Sequence, residues 1–243
     1  MNSQEISKYN AAKKLCDKLR GELEKKSFIG IGSGSTVKVF LDVCSEFLRN
    51  HILVASSIDT ALYAKLKHNL LTVDITSVDT LDLYVDGADE VSTRLDMVKG
   101  HGGALLREKT LAYMSNWRIY IVDYSKYTGL EYLYRKPIPV EVVPFALGYF
   151  LKNISKLGVY EPTVRSSGGK LGPLVTDNGN YIVDLKPLQP ITNPLKAHQE
   201  LKFMHGVVET GLFPSDLLVN VVIVGYEDRV IELEKKVVSS SAR

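Results

Sequence analysis

The run Ser27-Phe28-Ile29-Gly30-Ile31, then Gly32-Ser33-Gly34-Ser35-Thr36, then Val37 through Leu48, decides the fold class. The first piece suits a short apolar strand. The glycine–hydroxyl piece suits a tight turn, and the third repeats apolar residues at helical spacing. Strand, turn and helix in that order open a βαβ unit, and the alternation continues outward. Ile52 to Ala55 reads as strand, Thr60 to His68 as helix, and Thr72-Val73-Asp74 and Leu81 to Val85 as strands. Glu108 to Ser115 reads as helix and Arg118 to Val122 as strand. Ahead of the opening run, Ile6, Tyr9, Ala12, Leu15, Leu19 and Leu23 mark an amphipathic first helix. Such alternation implies an α/β fold around a mostly parallel sheet.

The pattern changes at Pro137, Pro139 and Pro144. A helix from Phe145 to Leu157 follows, then Val164-Arg165 and a turn at Gly168-Gly169. The stretch Thr176-Asp177-Asn178-Gly179-Asn180 leads into Tyr181-Ile182-Val183, and Asn-Gly between apolar runs marks a hairpin. A helix at Leu195 to Phe203 and a strand at Val207-Val208 complete a smaller α+β unit. Leu217 to Val224 reads as a buried strand that rejoins the first sheet. The expected division is 1–130 plus 206–243 for the larger domain and 131–205 for an inserted one, with Val237 to Arg243 as a loose tail.

Composition narrows the function. The 243 residues are 45% hydrophobic and 24% charged, as in ordinary globular proteins, and the net charge of +2 gives no broad basic surface for nucleic acid. No apolar run approaches the ~20 residues of a membrane span. Met1 to Lys14 is polar and has no secretory leader pattern. Cys16 and Cys44 lie in helical patterns and read as reduced, buried, structural thiols. The expected location is therefore cytoplasmic.

Chemistry concentrates in four places. Between strand and helix, Gly30 to Thr36 offers the free N–H groups of a helix start plus the hydroxyls of Ser33, Ser35 and Thr36, a cradle for phosphate; the plain alternative is a turn with a helix cap. The spacing G-x-G-x-G is not a dinucleotide fingerprint, and no P-loop lysine follows Gly34. Asp86-Gly87-Ala88-Asp89-Glu90 stands at a strand's carboxyl end, where open α/β sheets bind ligands. Its carboxylates could accept protons or hold sugar hydroxyls, or Asp89 could cap a helix. Lys99-Gly100-His101-Gly102-Gly103-Ala104, closing on Arg107-Glu108-Lys109, pairs a fixed cation and an acid with unusual backbone freedom. Lys126 follows another strand end. No second metal-type ligand stands at metal spacing from His101, so no metal is expected.

Together these stretches resemble the ribose-5-phosphate isomerase A family. The resemblance rests on Gly32 to Thr36, Asp86 to Glu90, Lys99 to Lys109, Asp123-Tyr124-Ser125-Lys126, Pro139-Val140-Glu141-Val142-Val143-Pro144 and Val175 to Asn180, in the family's order. Four departures stand out. Ser33 replaces a usual Thr, His101 a usual Gly and Leu106 a usual Thr, and Leu157 to Arg165 is one residue longer. The resemblance implies a Rossmann-like domain with a ferredoxin-like α+β insert, a homodimer or homotetramer, and a sugar phosphate substrate with no cofactor. It implies interconversion of D-ribose 5-phosphate and D-ribulose 5-phosphate in the non-oxidative pentose phosphate pathway. Glu108 matches the base, and Asp86, Asp89 and Lys99 the polar site residues. Substrate contacts map to Ser33, Gly34, Ser35, Thr36, Gly87, Ala88, Gly100, His101, Gly102 and Lys126.

The expected chemistry is ring opening assisted by Asp86, then transfer of the C2 proton to C1 by Glu108 through an enediolate held by Lys99. At the ordinary glutamate value of ~4.3, Glu108 is ionised at neutral pH. Two other classes share the general fold: a sugar-phosphate sensor without turnover, and a coenzyme A transferase relative with a nucleophilic glutamate. The complete Lys99-to-Glu108 pattern speaks against both.

Overall fold

The computed structural model describes residues 2–24 and 26–235, so the expected tail at Val237 to Arg243 lies outside the described residues. The chain begins with α1 (Ser3–Glu22), β1 (Phe28–Ile31), α2 (Ser35–Leu48), β2 (Ile52–Ala55) and α3 (Ile58–His68). Next come β3 (Leu81–Asp86), β4 (Glu90–Val91), β5 (Met97–Val98), α4 (Leu105–Met114) and β6 (Ser115–Asp123). The α+β unit supplies β7 (Ile138–Val142), α5 (Leu147–Lys156), β8 (Tyr160–Val164), β9 (Ser166–Ser167), β10 (Lys170–Pro173), β11 (Tyr181–Pro187), α6 (Pro194–Lys202) and β12 (Val207–Thr210). The chain then returns through β13 (Leu212–Phe213), α7 (Ser215–Leu218), β14 (Val221–Gly225) and β15 (Val230–Glu234).

The central sheet has six strands in the order β15-β14-β6-β3-β1-β2. All its pairings are parallel except the edge pair β14–β15. Parallel strands are covered on both faces, so their alternate residues enter two different cores. Leu83, Val85, Ile119 and Ile121 pack with α1 and α2 residues such as Leu15 and Phe40. Tyr84, Tyr120 and Val122 pack on the other face with Leu111 of α4 and Phe213. The second sheet is antiparallel in the order β12-β7-β11-β8, with α5 and α6 contributing Phe150, Ile154 and Leu201 to its core. This β-α-β-β-α-β arrangement is the expected ferredoxin-like unit. A three-stranded sheet, β13-β5-β4, joins the two parts.

Several local expectations change. Thr72 makes only one bridge, to Leu53, and Asp74 Oδ1 instead caps a 3₁₀ turn at Ile75–Ser77 by accepting from Thr76 N. An aspartate side chain that captures backbone in this way competes with a strand. Leu217 lies in α7, which starts after Pro214, so the returning strand begins only at Val221. The short strands β4, β5 and β13, and the edge strand β15, carried too little pattern to be read.

Cys16 and Cys44 are buried as expected, but they are bonded, not reduced, with Cα atoms 5.6 Å apart. Side-by-side packing of α1 and α2 brings them together, which spacing alone does not show. A cross-link over 28 residues should contribute about 3–4 kcal/mol by restricting the unfolded chain. The Cys16→Ser/Cys44→Ser variant should therefore unfold at clearly lower urea concentration. An unchanged midpoint would mean that the thiols are free in solution.

Candidate active site

Four segments converge at the carboxyl end of the central sheet: the turn after β1, the end of β3, the loop after β5 and the first turn of α4. At their meeting point lies one buried cation between two buried acids. Lys99 Nζ stands 2.6 Å from Asp86 Oδ2 and 3.3 Å from Glu108 Oε2, and it donates to Gly87 O at 2.7 Å. Lys99, Asp86 and Glu108 are all buried.

Asp86 lies under the cleft. Its Oδ1 accepts from Ser33 N at 3.1 Å and Gly87 N at 2.7 Å, and its Oδ2 accepts from the Tyr84 hydroxyl. The turn must pass directly over this carboxylate: a Cβ on Gly32 would stand 1.9 Å from Asp86 Cγ. Ser33, expected at the anion cradle, lines the cavity and also serves the acid. Its hydroxyl donates to Glu108 Oε1 at 2.6 Å. Glu108 Oε2 has no hydrogen-bond donor among the described residues, because the Lys99 contact is a charge contact and not an aligned hydrogen bond.

Burial pushes the Glu108 carboxyl up, the neighbouring Asp86 charge pushes it further, and the Lys99 and Ser33 contacts only partly offset them, leaving it at about 7. The full ionisation expected of Glu108 at its ordinary value gives way here to a carboxyl held higher by its surroundings. Burial opposes the charge on Lys99, but the Asp86 and Glu108 carboxylates outweigh it and hold the ammonium above its ordinary value. Lys99 stays cationic throughout the physiological range.

Above this cluster is a cavity of about 120 Å³. Larger open grooves lie elsewhere among the described residues, at about 810, 550, 870 and 400 Å³, but none gathers such chemistry. The small cavity is lined by Lys99, Glu108, Gly100 and Gly102 and by Ser33, Gly34, Ser35, Thr36, Lys8 and Lys126. Gly87, Ala88 and Asp89 complete the lining. The turn after β6 that carries Lys126 is closed by Asp123, whose Oδ1 accepts from Ser125 N at 3.0 Å. The start of the 14-residue α2 lines the same cavity as Lys8 and Lys126 and has no side-chain cap, so its first-turn N–H groups and positive dipole end are there for a ligand.

Asp89 does not cap a helix; strand β4 follows it, and its Oδ2 accepts from His101 N at 3.1 Å. His101 stays outside the cavity lining, at the rim, with Nε2 3.0 Å from Pro137 O. Sequence reasoning missed Lys8. This α1 lysine lines the cavity and donates to Ser35 Oγ at 2.9 Å, yet in the sequence it is one lysine on a polar helix face. The roles of Glu141 and Arg107 were also hidden. Buried Glu141 Oε1 accepts from Thr176 Oγ1, Asn178 Nδ2 and Asn180 Nδ2 at 2.9–3.0 Å and so shapes the hairpin. Arg107 then ties α4 to that hairpin through Asn178 Oδ1 and Asp177 O, both at 2.7 Å. Among the described residues no group of three or more His, Cys, Asp or Glu could hold a metal ion, and no helix is long and apolar enough to cross a membrane.

An α/β scaffold, an acid poised near neutrality beside a fixed cation, and a cavity that adds lysines and hydroxyls to them suit an enzyme that moves protons on a small substrate. The family model for ribose 5-phosphate isomerase A (phosphoriboisomerase A) matches residues 52–229. A ribose-5-phosphate isomerase A of Archaeoglobus fulgidus is 40% identical over 216 residues, 87% of this chain and 92% of its own length. One from Pyrococcus horikoshii is 35% identical over 97% of this chain and 100% of its own. A solved D-ribose-5-phosphate isomerase in complex with phospho-erythronic acid superposes with a TM-score of 0.86 at 35% identity, covering 96% of this chain and 100% of that one. The chain belongs to the ribose 5-phosphate isomerase A family, and it is an aldose–ketose isomerase.

Because Glu108 must be ionised to accept a proton, kcat/KM should fall about tenfold per pH unit below pH 7, with an apparent pKa near 7. A flat profile down to pH 5 would separate catalysis from this carboxyl. The same shift has a stability consequence. A carboxyl with a raised folded pKa contributes stability that is lost as pH rises through about 7. Glu108→Gln should therefore raise Tm relative to the parent more at pH 8 than at pH 5, as calorimetry at the two pH values would read.

Proposed function

We propose that the protein interconverts D-ribose 5-phosphate and D-ribulose 5-phosphate through an enediolate, with Glu108 as the general base. The observation that carries this reading is the asymmetric carboxylate. Glu108 Oε1 is held by Ser33 Oγ at 2.6 Å, while Oε2 has no hydrogen-bond donor among the described residues and lies 3.3 Å from Lys99 Nζ. An oxygen so placed can take a proton from carbon, and the ammonium beside it meets the negative charge that the same step creates.

In this mechanism Asp86 assists ring opening from below, by holding Lys99 against the sugar oxygens, and Asp89 takes hydroxyls at the cavity wall. Glu108 removes the C2 proton of the open-chain aldose, and the electron pair moves through the new C1–C2 double bond onto the former carbonyl oxygen. Lys99 stabilises that enediolate. The C2 hydroxyl proton passes to the C1 oxygen, and Glu108 returns its proton to C1 as the C2 oxygen becomes the ketone and the C1 oxygen a hydroxyl. A preorganised donor of this kind is worth on the order of 10²–10³ in rate.

The phosphate goes to the opposite end, with Lys8, Lys126, Ser35, Thr36 and the α2 N-terminus, where it fixes the reacting carbons in place. The phospho-erythronic acid on a relative supports this reading, being a phosphorylated sugar acid of the class such a two-ended cleft suits. We place the reaction in the cytoplasm, as a step of the non-oxidative pentose phosphate pathway. The Cys16–Cys44 bond is compatible with that compartment because both residues are buried, away from exchanging thiols. We assign the chain a homodimeric or homotetrameric state. The inserted unit is better drawn as 131–210 than 131–205, since Val207–Thr210 pairs with β7 in its sheet.

A coupled assay of ribulose 5-phosphate formation tests the whole reading. Glu108→Gln should abolish turnover while ribose 5-phosphate still binds; near-normal turnover would remove Glu108 as base. Lys99→Ala should lower kcat more than it raises KM, and the reverse would make Lys99 a ground-state binder. Lys8→Ala and Lys126→Ala should each raise KM for the phosphorylated sugar. Unchanged KM in both would move the phosphate elsewhere.

A further inference from the structure

The residue after Glu108 is a second buried cation that the reaction does not use. Lys109 is 1% exposed, faces away from the cleft and enters the α+β unit. Its Nζ donates to Glu209 Oε1 at 2.9 Å and to Thr210 O at 2.6 Å, and lies 3.4 Å from His198 Nδ1. Burial lowers the ammonium to about 8, and the Glu209 carboxylate only partly restores it. Burying an ion pair is a poor way to add stability, because desolvation consumes most of the attraction; the better-attested use is to fix one register among several.

The segment that receives Lys109 also holds Lys99. Gly211 O, one residue beyond Thr210, accepts from Lys99 N at 2.8 Å. The approach is so close that a Cβ on Gly211 would stand 2.2 Å from Lys99 O. Two residues further, the Phe213 ring lies near both ammonium groups, 5.4 Å from Lys99 Nζ and 4.9 Å from Lys109 Nζ. Residues 209–213 thus hold Lys99 by its backbone and α4 by Lys109. The start of α4 has no side-chain cap of its own: its N-cap is Ala104.

We infer that Lys109, with Glu209 as counter-ion, is a positioning residue for Glu108, setting the Glu108–Lys99 separation by tying α4 to the strand segment that carries Lys99. The inference rests on Glu108 acting as the base. It gives the inserted unit a part in the chemistry although none of the residues in this anchor touches the cavity.

The test compares Lys109→Met with Lys109→Met/Glu209→Gln, which removes both buried charges and leaves only the half-exposed Lys202, 3.3 Å from Glu209 in the parent, without its carboxylate partner. In the folded double variant, kcat should fall roughly 10–100-fold, as for a displaced catalytic group, with KM within about twofold. The acidic limb of kcat/KM should also move from its parental position toward the ordinary carboxylate range. A double variant with parental kcat and parental limb overturns the inference, and so does a loss that only follows the folded fraction. If the double variant fails to fold, Glu209→Gln alone, which keeps the Lys109 bond to Thr210, takes its place. A lower kcat with a shifted limb then supports the positioning role, and parental values of both overturn it. Glu108→Gln measured alongside keeps the two ideas apart. Near-normal turnover there overturns the base assignment, whereas an inactive Glu108→Gln beside an unimpaired Lys109 variant overturns only the positioning role.

Discussion

One buried ammonium shared by two buried carboxylates is the constraint around which the site is arranged. Lys99 lies 2.6 Å from Asp86 and 3.3 Å from Glu108, so the three groups carry two negative charges and one positive when all are ionised. In a low-dielectric interior that surplus is expensive, and it is relieved where support is weakest. Asp86 has Ser33 N, Gly87 N, the Tyr84 hydroxyl and Lys99 around it. Glu108 has one hydroxyl and one charge contact. The proton therefore goes to Glu108, and an ordinary glutamate becomes an acid–base group poised near neutrality.

The rest of the structure keeps that arrangement in place. The turn after β1 covers Asp86 closely enough to require glycine at position 32. The α+β unit anchors α4 on both sides of Glu108, through Arg107 to the Glu141-shaped hairpin and through Lys109 to β12. Reactive groups on the larger unit are thus aimed by contacts from the smaller one. In the proposed reading the phosphate is held by other parts of the same cavity, the start of α2 with Lys8 of α1 and Lys126 of the β6 turn. A substrate that spans both parts is oriented before any proton moves.

Much of this was legible in the chain. The period of the apolar residues located the main strands and helices, because a strand buried on both faces and a helix with one buried face leave different patterns. Asp86, Lys99 and Glu108 were visible because acids and a lysine beside glycines are poor material for a solvated loop. Short strands such as Glu90–Val91 and Met97–Val98 were not visible, since two residues hold no period. Lys8 and Lys109 were equally hidden. A lysine on a helix reads as surface whether it meets solvent, a phosphate cleft or a buried glutamate.

By itself the sequence determined the α/β class, the change of architecture near Pro137 and the residue types available for chemistry, all of which depend on local spacing. Only the tertiary structure decided which carboxyl is pushed up, that Ser33 donates to Glu108, that Cys16 meets Cys44, and that Glu209 reaches across a hundred residues to Lys109. Burial, desolvation and charge coupling are properties of the neighbours a residue acquires on folding, and those neighbours come from elements far apart in the chain.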